Sequence, residues 1–143
     1  MIRRFSGSER GTALVEFALV APVLIFLMIG LIEVGRYMCF GIQVAHSARA
    51  ALQYQTRNLI TVGDAVGARS AALQDAPNLA LTVTPNYYCS FNGALTSCFT
   101  GGSGLVYFAK VVVSGTFHSM LNYPGIPNTA VVTSTAVMRV TNQ

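Results

Sequence analysis

Along the chain the spacing of apolar and polar positions changes three times. The opening stretch, MIRRFSGSERG (residues 1–11), is polar and basic, and from Phe17 to Ile32 sixteen consecutive residues carry no charge. As an α-helix that run covers about 24 Å at 1.5 Å per residue, a little short of a bilayer core about 30 Å thick. Ala13, Leu14 and Val15 supply the missing length and bring Glu16 into the apolar span. A buried carboxylate there costs about 2.5 to 3.5 kcal/mol on insertion scales, so it needs a partner or a purpose. Beyond Ile32 the apolar positions Val34, Tyr37, Met38, Ile42, Ala45, Ala48 and Leu52 recur near helical spacing, with Arg36, Gln43, His46, Arg49 and Gln53 on other faces. No strong breaker intervenes before TVGDAVG at Thr61. The pattern predicts one helix from about Thr12 to Arg57, about 70 Å long and bent at Pro22, whose missing N–H removes an internal bond.

Further on, Asp64 is placed to start a second helix, DAVGARSAALQDA, closed by Pro77. The period then shortens to two. Leu79, Leu81 and Val83 alternate with Ala80, Thr82 and Thr84 in a strand expected to stop at Pro85. LVYFAKVVVSGTF (residues 105–117) and TAVVTSTAVMRV (residues 129–140) are longer strands rich in β-branched residues, joined by the loop NYPGIPN with its two prolines. The expected fold is α+β: a long N-terminal helix, transmembrane over residues 12–33 and amphipathic beyond, packed on a small three-stranded antiparallel sheet within a head of residues 34–143.

Composition narrows the setting. At 143 residues the chain suits one compact domain, or a small domain plus an anchor. Only 10% of residues are charged and 52% are hydrophobic, a shortage of charge that points to a membrane or to assembly. The formal net charge is +4, but Arg3, Arg4 and Arg10 lie in the first ten residues and the other cations are scattered singly, which gives no groove for nucleic acid. Those three arginines precede the apolar run and only Arg36 closely follows it, so the N-terminus is expected in the cytoplasm and the head on the far side. A cleaved secretory signal is the first rival, yet GLIEVGRYMCFG, just after the run, lacks its small-residue cleavage site.

Cleavage before the apolar run fits the residues better. The leader ends in Gly11, whose missing side chain lets a protease approach the backbone. A cut there frees the amine of Thr12, positive at neutral pH, one helical turn from Glu16. Glu16 in the first turn also faces the positive end of the helix dipole. Gly11, the four residues TALV, Glu16 and the aromatic Phe17 resemble a prepilin processing site, and the fuller stretch GTALVEFALVAPVLIFLMIGLIEVGR is similar to the TadE-like proteins, pseudopilins of the Tad (Flp) type IV pilus. AHSARAAL, with Ala48 where that family often has glycine, and the ending STAVMRV are similar to it as well. The resemblance implies a pilin-like fold in the bacterial inner membrane with a periplasmic head. It implies that Gly11, Thr12, Glu16 and Phe17 serve processing and subunit docking, and that the product is part of a pilus at the cell surface. The partners it implies are a prepilin peptidase, other pilin or pseudopilin subunits, the Tad inner-membrane assembly platform and the lipid bilayer. An uncleaved single-pass anchor with a periplasmic binding or scaffold head is the alternative.

Other chemistry is poorly supported. Cys89 and Cys98 bracket SFNGALTS, a polar loop on the non-cytoplasmic side, where an oxidising compartment permits a disulfide worth about 2 to 3 kcal/mol; two reduced buried thiols are the other reading. Cys39, left over, is expected to be a small apolar packing residue, with an intermolecular bridge as its other option. His46 and His118 form no zinc pattern with the cysteines, so no metal or cofactor is expected. TGGSGL (residues 100–105) lacks the Lys and Ser/Thr of a phosphate loop and precedes a strand. No nucleophile elbow or oxyanion loop is present, and an enzyme is not expected.

Overall fold

The computed structural model describes residues 9–91, 94–96, 98, 105–121 and 127–140. They form an α+β chain in which α1 (Glu9–Gln55) is followed by a short 3-10 turn (Thr61–Gly63), α2 (Ala65–Asp75) and four strands, β1 (Leu81–Phe91), β2 (Ala94–Thr96), β3 (Val106–His118) and β4 (Thr129–Arg139). The chain divides into two units, residues 1–36 and 37–143, so that α1 contributes to both. Within α1 the helix begins at Glu9, ahead of the expected Thr12, and continues through Pro22. The loop NYPGIPN falls mostly outside the described residues, as does TGGSGL.

The second unit is built on one antiparallel sheet in the order β2-β1-β3-β4. β1 pairs with β3 from Leu81↔Gly115 to Ser90↔Val106, and β3 with β4 from Phe108↔Arg139 to His118↔Thr129. Directly opposite residues share a face. Val83, Ala109, Val111 and Val113 are buried with Val44, Ala48, Ala51 and Leu52 of α1 and with Ala68 and Ala72 of α2 in one core. Alanine at the helix contact lets the helix lie close to the sheet, and Gly115 serves the same end: an added Cβ would meet Leu81 at 2.9 Å and Phe40 at 3.0 Å. Phe117 closes that end of the core, edge-on to Tyr37 at 5.4 Å and Phe40 at 5.6 Å.

Three expectations change. The buried face of α1 is Val44, Ser47, Ala48, Ala51, Leu52 and Gln55, whereas Val34, Met38 and Ile42 are exposed. Apolar residues occupy more than one face here, so periodicity alone does not select which face meets the sheet. β1 does not stop at Pro85 but runs on to Phe91. Proline is excluded only where its N–H would have to join a ladder, and Pro85 lies opposite Val111 where β2, paired only with residues 89–91, does not reach. The expected loop SFNGALTS contains β2, which makes the sheet four-stranded. Phe91 pairs with Ala94 across the sequence Asn92-Gly93, a dipeptide that favours two-residue hairpins.

Candidate functional site

The residues singled out for processing lie at the start of α1. Gly11, Thr12, Glu16 and Phe17 are all exposed, and open space surrounds the position a Gly11 side chain would take. Thr12 and Glu16 stand one turn apart. Among the described residues Glu16 takes part in no ion pair. The apolar side chains that follow are exposed as well: Leu19 is 74% exposed, Phe26 70% and Leu31 73%. This is the one helix among the described residues long and apolar enough to cross a membrane, and the apolar window within it is not buried by the chain at all. Such a surface in water would forgo the burial that folding ordinarily provides. Just past the run, Glu33 accepts a hydrogen bond from Arg36 Nη1 at 2.7 Å. The i,i+3 spacing of this pair was open to reading in the sequence.

A second constellation fixes the end of α1 in the head. Asp64 caps α2, its Oδ1 accepting from the backbone N–H of Val66 at 3.1 Å and of Gly67 at 2.9 Å. Its Oδ2 accepts from the Tyr54 hydroxyl at 2.6 Å. The Gly67 N–H first, then the Tyr54 hydroxyl, hold the Asp64 carboxyl below the usual carboxylate range, and the same bond to Asp64 is the main cause that raises the Tyr54 phenol. A Cβ at Gly67 would collide with Tyr54 and with Asp64 Oδ2, so a side chain there would displace the Tyr54–Asp64 contact. Arg57 lies 5.5 Å from the centre of the Tyr54 ring. Gln55, buried, donates from Nε2 to the Val62 carbonyl at 3.0 Å. The Tyr54–Asp64 bond joins residues ten apart across a turn, and no sequence pattern announces it.

Cys89 and Cys98 are joined in a disulfide with Cα atoms 5.1 Å apart, tying β1 to the segment beyond β2. Cys39 is exposed, so the packing role expected for it within this chain does not hold. His46 lies exposed on α1 and His118 exposed at the end of β3. Among the described residues no three His, Cys, Asp or Glu side chains gather to hold a metal ion.

No curated protein and no solved structure matches the chain. Residues 11–53 match the model of the TadE family, described as TadE-like protein. That stretch holds Gly11, Thr12, Glu16 and Phe17, the exposed apolar run and nearly all of α1 that follows, and over it this chain is similar to TadE-like proteins.

Proposed function

We propose that the protein is a pseudopilin or minor pilin, cut after Gly11 by a prepilin peptidase and built into, or priming, a Tad-type pilus that serves surface attachment. The observation that carries the reading is the coincidence of the TadE-like match with the mostly exposed apolar stretch of α1 from Ala13 to Ile32, whose one acid, Glu16, lies near its start. In this reading residues 12–33 span the inner membrane with the N-terminus cytoplasmic and the head periplasmic. Removal of residues 1–11 takes away the arginines that hold the N-terminus at the membrane face. It also creates an amine at Thr12, and that amine, or the one of a neighbouring subunit, neutralises Glu16 in a medium where an unpaired charge is costly. Phe17 and the exposed side chains after it then pack against other pilin subunits, with the Tad inner-membrane platform driving assembly. A disulfide across the β1–β2 end of the head suits an oxidising periplasm.

Intact mass of the membrane-extracted protein from cells with and without the peptidase tests this. Loss of residues 1–11 only when the peptidase is present is expected, and Gly11→Ala should leave the precursor uncut. A full-length chain under both conditions rejects the pilin reading and leaves an uncleaved anchor with a scaffold head. Glu16→Leu should insert as well as the native chain, or better, yet abolish incorporation into pili; unchanged pilus yield would remove the role given to Glu16.

A further inference from the structure

The two edges of the sheet are built differently. Backbone hydrogen bonds at both ends of the β3–β4 ladder fix its phase: the Val140 N–H donates to the Tyr107 carbonyl at 2.8 Å, and the Ser119 N–H to the Asn128 carbonyl at 2.9 Å. Both bonds join residues in the same register as the eleven uninterrupted pairs between them. In an antiparallel ladder bonded and non-bonded opposite pairs alternate. Even-numbered residues of β4 therefore turn their N–H and C=O toward β3, and odd-numbered ones turn outward. Carried across β3, the same phase turns odd-numbered residues of β1 toward that strand's outer edge.

On the β1 side this edge is guarded. Pro85 is odd-numbered and has no outward N–H to offer. Val83, also odd-numbered, has its outward carbonyl accepting from Arg69 Nη2 at 3.4 Å, and β2 covers residues 89–91. Along β4 there is no proline and no bulge, and no charge from Thr129 to Met138. Among the described residues no strand pairs with the outward backbone groups of Val131, Thr133, Thr135 and Val137. Val131 and Val137 are also 71% and 48% exposed. Folded proteins blunt long edges of this kind unless something covers them.

We propose that the outer edge of β4 is the docking site for an extended segment of a different protein chain, which adds to the sheet as a fifth strand. A second copy of this chain is a poor occupant. Its β1 edge is guarded, so it could offer only β4, and antiparallel β4-to-β4 pairing about Ser134 sets the neutral Thr129 opposite Arg139, which leaves that charge without a partner. The chemistry of the occupant follows from the edge. Alternating β-branched and hydroxyl residues match Val131, Thr133, Thr135 and Val137. No Asp or Glu follows Asp75 in the chain, so a carboxylate in the occupant opposite Arg139 supplies the charge this half of the head lacks.

The probe is a synthetic peptide. The β4 sequence is nearly palindromic about Ser134, so an antiparallel copy sets Val opposite Val and Thr opposite Thr, with position 129 opposite Arg139. A peptide of residues 129–139 carrying Thr129→Glu is added to the full chain in detergent micelles, with the Thr129→Lys peptide as control, and amide hydrogen exchange is followed residue by residue. The Thr129→Glu peptide should slow exchange at Val131, Thr133, Thr135 and Val137 by about tenfold or more, while the even-numbered amides are already slow without it. The Thr129→Lys peptide should bind about threefold more weakly, and Arg139→Glu in the protein should reverse that order. Thr135→Pro removes an outward donor and leaves the β3 ladder intact, so protection should vanish while even-numbered amides stay slow. Unchanged exchange at the odd-numbered amides, protection that survives Thr135→Pro, or a peptide preference that ignores Arg139→Glu overturns the site. Protection of the same amides by the protein alone, rising with its concentration, overturns the choice of a different chain. None of these readouts depends on the cut at Gly11, so their failure is separate from failure of the pilin reading.

Discussion

The two halves of α1 are one continuous helix with opposite relations to their surroundings. In residues 11–36 the large side chains, among them Leu14, Phe17, Leu19, Phe26 and Leu31, are exposed, and the chain itself buries none of the apolar window. In residues 37–55 most of the buried positions are small or medium, Val44, Ser47, Ala48 and Ala51, beside the larger Leu52 and Gln55. Hydrophobicity thus runs opposite to burial along the helix. The first half gains from a surrounding apolar medium through the area of its side chains. The second gains from close approach, where Ala48 and Ala51 at 0% exposure leave no room for more.

That contrast can be broken from either side, and the largest effect should come from charge. Leu24→Arg in the exposed half should cost about 3 kcal/mol of insertion and move much of the protein out of the membrane fraction, which fractionation and immunoblotting read directly. If the protein stays fully in the membrane, the first half does not meet lipid.

The next test sharpens the comparison by making one change in both halves. Ala48→Leu should destabilise the head by about 1 to 3 kcal/mol through overpacking against the sheet, whereas Ala18→Leu, at an exposed position, should leave its thermal midpoint unchanged. Near-ultraviolet circular dichroism on the full chain in detergent measures both, and equal midpoints would mean that the helix–sheet contact tolerates bulk.

The smallest effect should be that of acid on the Tyr54–Asp64 contact at the end of the second half. The Asp64 carboxyl is lowered in the folded chain, chiefly by the Gly67 N–H and then by the Tyr54 hydroxyl. The unfolded chain therefore takes up this proton first. The stabilisation is whole above the unfolded carboxyl value of about 4 and fades as pH falls through the lower folded value. The thermal midpoint should drop slightly over that window, and Asp64→Ala should remove this part of the drop. The raised Tyr54 phenol works in the other direction: its share is whole below a pH of about 10 and fades above it.

Much of this fold could be read in advance. The uncharged run, the period-two stretches and Asp64 ahead of an alanine-rich segment each report an interaction local to a few residues, and α1, β3, β4 and the cap at Asp64 follow from them. Gly11, Thr12, Glu16 and Phe17 could be named from the sequence because they lie in one short stretch, and their role in processing is the proposal made above. Position in the sheet was not. Pro85 sits inside β1 because of what does and does not lie beside it, and Val34, Met38 and Ile42 are exposed because the sheet meets α1 on the side of its alanines.

What the sequence alone determined is where backbone can be helix or strand and where a long apolar surface is unavoidable, since those depend on covalent neighbours and on side chains spaced by 3.6 or 2 residues. What only the tertiary structure decided is which face of α1 is buried, how Tyr54 reaches Asp64, and why the outer edge of β1 is guarded while no strand among the described residues pairs with that of β4. These depend on groups brought together from distant parts of the chain, whose fit is a matter of ångströms that no local pattern records.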